Sequence, residues 1–414
     1  MPYYQSPRWS GEICDCSMPM TFDTYSKCSY NCLYCFAYFQ KSHTILKKQK
    51  RKADPVNVEK IKQIFTKPES SQFGPYIKNK ITMQWGGMAD GFDDNEDQQK
   101  VSLELLRFFD EIDYPLSIST KAVNFTKNKE YMNIIKKHKH NWHFKISIIS
   151  NDEDKTRIIE QYCPSPSERF KAMKRLSKHG ISTTLRLRPY IIGLSDDYPY
   201  LIKKAKQCGA SNVTTEFFCL EARALPELKK KYQLMSKILG YDIYEFYKKH
   251  SKGAGYKRLN YNLKKPIIEN MRRIAHKNKL LFYVSDAHHK EKCDTVCCCG
   301  TPPSFKVYHG HFAEALQIAR KNKTHTVHWS DLKKDAMIMD TFLWYNATGF
   351  NTTGTNCRGI HRNQTMYDFI HEIWNTPKNL KSPYKYFGGV LYPIGLDENN
   401  DVVYKLNLKK IGKR

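Results

Sequence analysis

The feature that most limits what this chain can fold into is the loop Lys27-Cys28-Ser29-Tyr30-Asn31-Cys32-Leu33-Tyr34-Cys35-Phe36, which spaces three cysteines as C-x3-C-x2-C. Cysteine thiolates are the usual ligands of iron–sulfur clusters, and a cubane held by three of them keeps one iron free of protein ligands. The same thiols also read as part of a structural zinc site. Such a site closes with four ligands, and Cys14 and Cys16 lie near enough upstream to complete one.

Composition narrows the compartment and the class of partner. The 414 residues exceed one ordinary compact domain, and 40% apolar residues supply a substantial core. The chain has no run of about 18 apolar residues, so no membrane-spanning helix is expected. Its thirteen cysteines are clumped and follow no basic-then-apolar leader. That pattern points to metal or redox chemistry in a reducing cytoplasm rather than to a disulfide scaffold. A net charge of +27 attracts polyanions with salt-dependent affinity, which makes nucleic acid the expected partner. Lysines scattered over a solvated surface would give the same total. The runs Lys47-Lys48-x-Lys50-Arg51-Lys52 and Lys136-Lys137-His138-Lys139-His140 favour a patch.

Over the first three hundred or so residues, short β-rich runs alternate with helical patterns, as repeated βα units do. Met20-Thr21-Phe22 leads into the cysteine loop. Lys80 to Trp85, Pro115 to Lys121, Phe144 to Ile149, Ile181 to Tyr190 and Val213 to Leu220 predict the following strands. A helix is expected over 97–112, with Val101, Leu105, Phe108, Phe109 and Ile112 at helical spacing. Ser165-Pro166-Ser167-Glu168 is a capping box with proline at the first helical position, and Gly180 supplies the stop. Six parallel strands predict an α/β fold, a partial (β/α)6 TIM-like barrel across 1–300 with its chemistry at the strands' C-terminal ends. Leu280 to Ser285 reads as another strand, and an α+β C-terminal extension, ending in a hairpin near Glu398-Asn399-Asn400, is expected across 301–414.

Several motifs now stand in order: the cysteine triad, Gly86-Gly87 after the second strand, Ser119-Thr120-Lys121 ending the third, and Glu160 with Pro164-Ser165-Pro166-Ser167-Glu168-Arg169. Gly180-Ile181 and Arg186-Leu187-Arg188-Pro189-Tyr190-Ile191-Ile192-Gly193-Leu194 complete the set. The ordered set resembles the spore photoproduct lyase-like, or DNA repair photolyase-like, branch of the radical S-adenosylmethionine (SAM) superfamily. The resemblance covers about the first 220 residues. It implies a radical SAM barrel in which Cys28, Cys32 and Cys35 hold a 4Fe-4S cluster and SAM chelates the open iron. It further implies reductive cleavage to a 5′-deoxyadenosyl radical, with electrons from a flavodoxin- or ferredoxin-type donor. Under the same resemblance, Gly86 and Gly87 expose backbone to the SAM amino group, Lys121 meets its carboxylate, Ser147 and Arg188 face ribose or carboxylate, and Phe36 borders the adenine. An ordinary turn, a solvated lysine and polar residues at strand ends are the plainer alternatives. The tail departs from that branch, and no cysteine near Gly86-Gly87 can be assigned as its hydrogen-returning thiol.

A second cysteine group, Cys293, Cys297, Cys298 and Cys299, follows Asp286, His288 and His289. Three readings stay open. It is an auxiliary iron–sulfur or metal site closed with Cys357, or Cys298 and Cys299 return a hydrogen atom to a substrate radical, or these are small buried hydrophobes. Cys163, Cys208 and Cys219 are isolated in sequence and assigned to the core. In the tail, Trp329, Trp344, Tyr345, Trp374, Tyr384, Tyr386 and Phe387 either stack bases or form a small core. Three functions result. They are radical chemistry on a nucleic-acid base (lesion repair or nucleobase modification), the same chemistry on a peptide or small metabolite, and a non-enzymatic zinc-dependent nucleic-acid binder.

Overall fold

The computed structural model describes residues 7–9, 14–37, 53–71, 73–222, 226–251, 256–333 and 366–412. Its centre is an eight-stranded sheet. In chain order the strands are β1 Arg8–Trp9, β2 Met20–Phe22, β3 Asn31–Cys32, β4 Met83–Trp85, β5 Leu116–Thr120, β6 Trp142–Ser147, β7 Glu160–Gln161, β8 Ser182–Tyr190 and β9 Asn212–Phe217. They continue with β10 Cys219–Glu221, β11 Tyr256–Arg258, β12 Leu281–Val284, β13 Thr326–Val327, β14 Leu391–Leu396 and β15 Val402–Leu406. The large sheet runs β1-β2-β4-β5-β6-β8-β9-β12. All its neighbours pair in parallel except β1, which is antiparallel to β2. The six expected strands are thus joined by β12 as a seventh, and the whole is an α/β sheet of the partial TIM-like kind.

Two expected elements divide. The helix anticipated over 97–112 is two, Asp94–Gln99 and Val101–Glu111, broken at Lys100 with φ 59°. The break lets the buried Glu96 carboxylate accept N–H bonds from Ser102 and Leu103 at 2.7 and 2.8 Å, so that it caps the second helix. The strand expected to reach Leu220 stops at Phe217, and Cys219–Glu221 pairs instead with Tyr256–Arg258. The capping box forms as read: the Ser165 hydroxyl accepts from Glu168 N at 3.3 Å and the Glu168 carboxylate accepts from Ser165 N at 3.0 Å. Phe170, Met173 and Leu176 bury the inner face of that helix.

Parallel strands are covered on both sides, and here the two sides differ in chemistry. Trp142, Phe144 and Ile146 of β6, Leu185 and Leu187 of β8, and Val213 and Phe217 of β9 join the apolar core beneath the helices. The alternate residues His143, Lys145, Ser147, Thr184, Asn212 and Thr214 are buried on the opposite face. A TIM barrel normally fills that interior with branched aliphatics. Here the backbone of 298–301 fills it. Thr184 and Asn212 donate to Gly300 O at 2.7 and 3.0 Å, and Thr214 and Ser285 donate to Cys298 O at 3.0 and 3.2 Å. Gly300, at φ 82°, is required there: a Cβ would lie 2.8 Å from Thr184 Cγ2.

The C-terminal part carries the antiparallel sheet β13-β15-β14 and the helices Phe312–Lys321 and Met366–Trp374. Phe312, Trp329, Trp374, Phe387 and Tyr404 form its core together with Cys14, Tyr76 and Ile81. The tail aromatics Trp329, Trp374 and Phe387 are therefore core residues, with Tyr384 and Tyr386 packed against them. Trp344, Tyr345 and Cys357 lie outside the described residues, as does the basic run from Lys47 to Lys52. Among the described residues, no helix is long and apolar enough to cross a membrane.

Candidate active site

The cysteine loop leaves the C-terminal end of β2. It is fixed at its middle by the antiparallel pair of β3 with β7, in register Cys32 to Glu160, and by Leu33 N donating to Ile159 O at 2.9 Å. Cys28 Sγ accepts the Asp90 N–H at 2.9 Å. The Cys28 and Cys35 thiols lie in each other's field. Burial and the charges of Asp93, Asp90 and Cys35 push the Cys28 thiol well up, and the Lys231 ammonium stands within reach of both Cys35 and Cys32. Lys231 also donates to Asn31 Oδ1 at 2.6 Å. Among the described residues, no three His, Cys, Asp or Glu side chains converge closely enough for a single ion. Cys14 packs in the C-terminal core and Cys28 against the barrel core, which separates the thiols a zinc site would need together. A cubane binds each thiolate to a different iron, so a donor set of three thiols on one loop that do not meet at one point fits it.

Around this loop is a buried ionic network. Glu160 and Arg169, each 1% exposed, form an ion pair at 2.6 Å. Arg169 donates also to Ser147 O at 3.0 Å and Pro164 O at 2.7 Å, and the Tyr34 hydroxyl donates to Glu160. Lys121 lies 5.8 Å from the Tyr34 ring centroid. Burial works against its charge, but Cys32 and Glu160 hold its pKa above the ordinary lysine value. Gly86 has φ 85°, and a Cβ there would collide with the Ser119 carbonyl; at Gly87 a Cβ would lie 3.0 Å from Thr21 Oγ1. The following backbone is held by Asp23, whose carboxylate accepts from Met88 N and Ala89 N at 2.9 and 3.1 Å. The Ser147 hydroxyl accepts from Arg186 at 3.3 Å, and Arg188 is ion-paired with Glu216. Phe36 stands at the rim, 37% exposed.

The second cysteine group splits. Cys293 Sγ is tied to the backbone of Val284 at 3.2 and 3.3 Å, which holds it against the edge of β12. Cys297, Cys298 and Cys299 lie in the barrel interior. Cys298 and Cys299 have their sulfurs 3.9 Å apart, and the Cys299 N–H points to Cys297 Sγ at 3.4 Å. Cys299 lies in the field of Lys145, Arg186 and Arg188, and Cys298 near Arg188 and Lys290. Asp286 is engaged elsewhere in an ion pair with Lys264, and His289 stacks on Tyr261 at 4.3 Å.

Some residues of the site were not singled out from sequence. Cys163, assigned there to the core, has its sulfur 3.7 Å from that of Cys32. Tyr162, in a left-handed conformation at φ 65° and 74% exposed, turns the chain after β7 so that Cys163 faces back. The hydrogen bond from Cys163, together with the Lys121 charge, lowers the Cys32 thiol pKa. Lys145 and Arg186 are the other additions. Lysine at the centre of the alternating Phe144-Lys145-Ile146-Ser147 was a visible signal, because a charged residue inside a doubly covered strand needs a reason.

Residues 23–205 match the family model of the Radical SAM superfamily. No curated protein matches the chain. Among solved structures, a spore photoproduct lyase double mutant with bound AdoMet and dinucleoside spore photoproduct aligns with TM-score 0.48 and 16% identity, covering 66% of this chain and 78% of that one. SuiB of Streptococcus suis, bound to S-adenosylmethionine, gives TM-score 0.43 and 12% identity over 67% of this chain and 52% of that one. TYW1 with a lysine-pyruvate adduct bound gives 0.33 and 13% over 51% and 69%. With its cysteine loop and four of its parallel strands inside residues 23–205, that stretch of the chain is a radical SAM domain, the domain of an enzyme.

Proposed function

We propose that this enzyme uses SAM and a 4Fe-4S cluster held by Cys28, Cys32 and Cys35 to abstract a hydrogen atom from a base in nucleic acid. The observation that carries the proposal is the position of the thiol loop at the C-terminal end of the first parallel strand, above an interior whose Arg186 lies in the field of Tyr34. Bound there, the two cofactors supply reductive SAM cleavage and a 5′-deoxyadenosyl radical.

The chain's own groups do the rest. The Lys231 and Lys121 cations offset the thiolate charge at Cys32 and Cys35. Gly86 and Gly87 leave backbone open to the SAM amino group, and Lys121, Ser147 and Arg188 face its carboxylate or ribose with Phe36 at the adenine edge. Cys298 and Cys299, set among interior cations, are the candidates to return a hydrogen atom or to hold an auxiliary centre. A flavodoxin- or ferredoxin-type protein is the electron donor. The net charge of +27 favours a polyanionic substrate over a peptide or metabolite.

Anaerobically reconstituted protein tests this. It should be brown and form 5′-deoxyadenosine from SAM under dithionite. It should also bind random DNA with an affinity that falls steeply between 50 and 200 mM salt, by roughly a thousandfold for six phosphate contacts. Absence of DNA affinity at low salt would move the substrate to a peptide or metabolite.

A further inference from the structure

Lys145 is an unusual thing for a strand to bury. It sits in β6 on the interior face and is 2% exposed, and its ammonium makes no hydrogen bond or ion pair with another described residue. Its charged neighbours are Arg186 and Arg188, and its other close partners are Cys299 and Cys297. Arg186 has the Ser147 hydroxyl as its hydrogen-bond partner. Arg188 shares Glu216, and its Nε is buried without a partner among the described residues. Three cations therefore face this space against the one carboxylate of Glu216. Even with the Cys297 thiol, whose pKa is lowered by its hydrogen bond with Cys299, ionised, positive charge is left over. A buried charge without a counter-ion opposes folding, and three of one sign repel each other strongly where water is excluded. Such a surplus is accounted for when a ligand brings the missing negative charge.

The depth of Lys145 separates this ligand from SAM. Ser147 ends β6, and Lys145 lies two residues earlier, about 7 Å further into the barrel at roughly 3.3 Å per residue. Lys145 is in register with Thr184 and Arg186 with Ser147, so an anion held between Lys145 and Arg186 sits below Arg188, which is left to SAM. One guanidinium fork and one point charge suit an oxyanion with several acceptor oxygens.

We propose that Lys145 and Arg186 form a substrate subsite for an oxyanion, a backbone phosphate in the nucleic-acid reading, that fixes the reacting base against the interior thiols. The anion's identity rests on the substrate proposed above; the subsite does not. The test compares reconstituted full-length protein with its Lys145→Met variant by equilibrium dialysis against three probes. They are the dinucleotide TpT, its uncharged methylphosphonate analogue, and SAM.

TpT affinity should fall at least tenfold in Lys145→Met. The analogue should bind both proteins alike, and SAM should hold within about twofold. The melting temperature should be equal or higher, because an unpaired buried charge has gone, whereas a structural lysine would lower it. Lys145→Gln serves the same comparison should the methionine variant misfold, and Lys145→Arg should keep most of the affinity. Inorganic phosphate should raise the melting temperature of the wild type and not of the variant. Phosphate protection without TpT binding would keep the subsite and discard nucleic acid. Loss confined to SAM, or anion binding independent of Lys145, would overturn the subsite.

Discussion

The barrel interior and the C-terminal core are both buried, yet the chain fills them by opposite rules. The C-terminal core is aromatic and apolar, and most of its polar atoms, those of His311 excepted, are used up locally. Trp374 Nε1 donates to Val402 O at 2.7 Å, Tyr404 donates to Trp374 O at 2.7 Å, and His371 meets Asp401 at 2.6 Å. The barrel interior holds lysine, arginines and thiols beside a threaded backbone, and leaves charge over. One region is complete as it stands, whereas the other is complete only with something bound. The contrast predicts that damage to the first costs stability and damage to the second costs ligands.

The largest effect should come at the cysteine loop. The Cys28→Ala/Cys32→Ala/Cys35→Ala variant should lose about four irons per chain and all measurable 5′-deoxyadenosine formation. The C-terminal core should meanwhile unfold at its usual denaturant concentration, followed by tryptophan fluorescence. Irons that remain would place a second centre at Cys297, Cys298 and Cys299. Conversely, Trp374→Ala should destabilise by about 3–5 kcal/mol and leave iron per folded molecule unchanged. A matching loss of iron would show the two regions to be one unit.

Next in size is the boundary between the loop and the barrel. Glu160→Gln strands Arg169 as a buried charge, so a loss of about 3–5 kcal/mol is expected in urea titration. The double variant Glu160→Gln/Arg169→Met should recover much of that. If the single change cost less than the double, the pair would be solvated in solution and no part of the frame around Tyr34.

How much of this was readable in advance depended on range. The βα alternation was legible because strands covered on both faces become runs of β-branched and aromatic residues, and Ser165 with Glu168 announces its helix within four positions. Lys100 was misjudged, since the break there depends on Glu96 reaching Ser102 and Leu103 rather than on any helix breaker. The positions that need a distant partner were silent. The closeness of Cys163 to Cys32 follows from a two-residue strand pair across 131 residues of separation. The path of 298–301 through the barrel follows from the hydroxyls of Ser117 on β5, which meets Thr301, of Thr184 on β8 and Thr214 on β9, and of Ser285. Gly86 was readable as a glycine needed for approach, although the group it approaches in the structure is the Ser119 carbonyl.

A moderate effect separates the two regions by pH. His311 lies in the C-terminal part with both ring nitrogens buried and without a partner among the described residues, and burial lowers its pKa from 6.5 to about 4. The folded state therefore keeps this ring neutral, while the unfolded chain takes up a proton below the ordinary value. Stability is fully present above pH 6.5 and is lost as pH falls through about 4. The loss should approach about 3 kcal/mol, and His311→Asn should remove that slope in urea titrations between pH 7 and 4. A slope unchanged in the variant would mean that the ring is hydrated.

The smallest effect concerns Cys163, and it decides whether the cysteine loop is a fixed set of three. Cys163→Ala should leave iron content and SAM cleavage as they are and shift stability by less than about 1 kcal/mol, since Cys28, Cys32 and Cys35 are all still present. Its role should become visible only when Cys32 is gone. The two sulfurs are 3.7 Å apart, which a change of side-chain rotamer covers, so Cys32→Ala should retain part of its iron by taking a thiolate from Cys163. The Cys32→Ala/Cys163→Ala variant should retain less. Equal iron in the single and double variants would mean that Cys163 cannot swing into the place of Cys32, and that β7 holds its sulfur beside the site without giving it access.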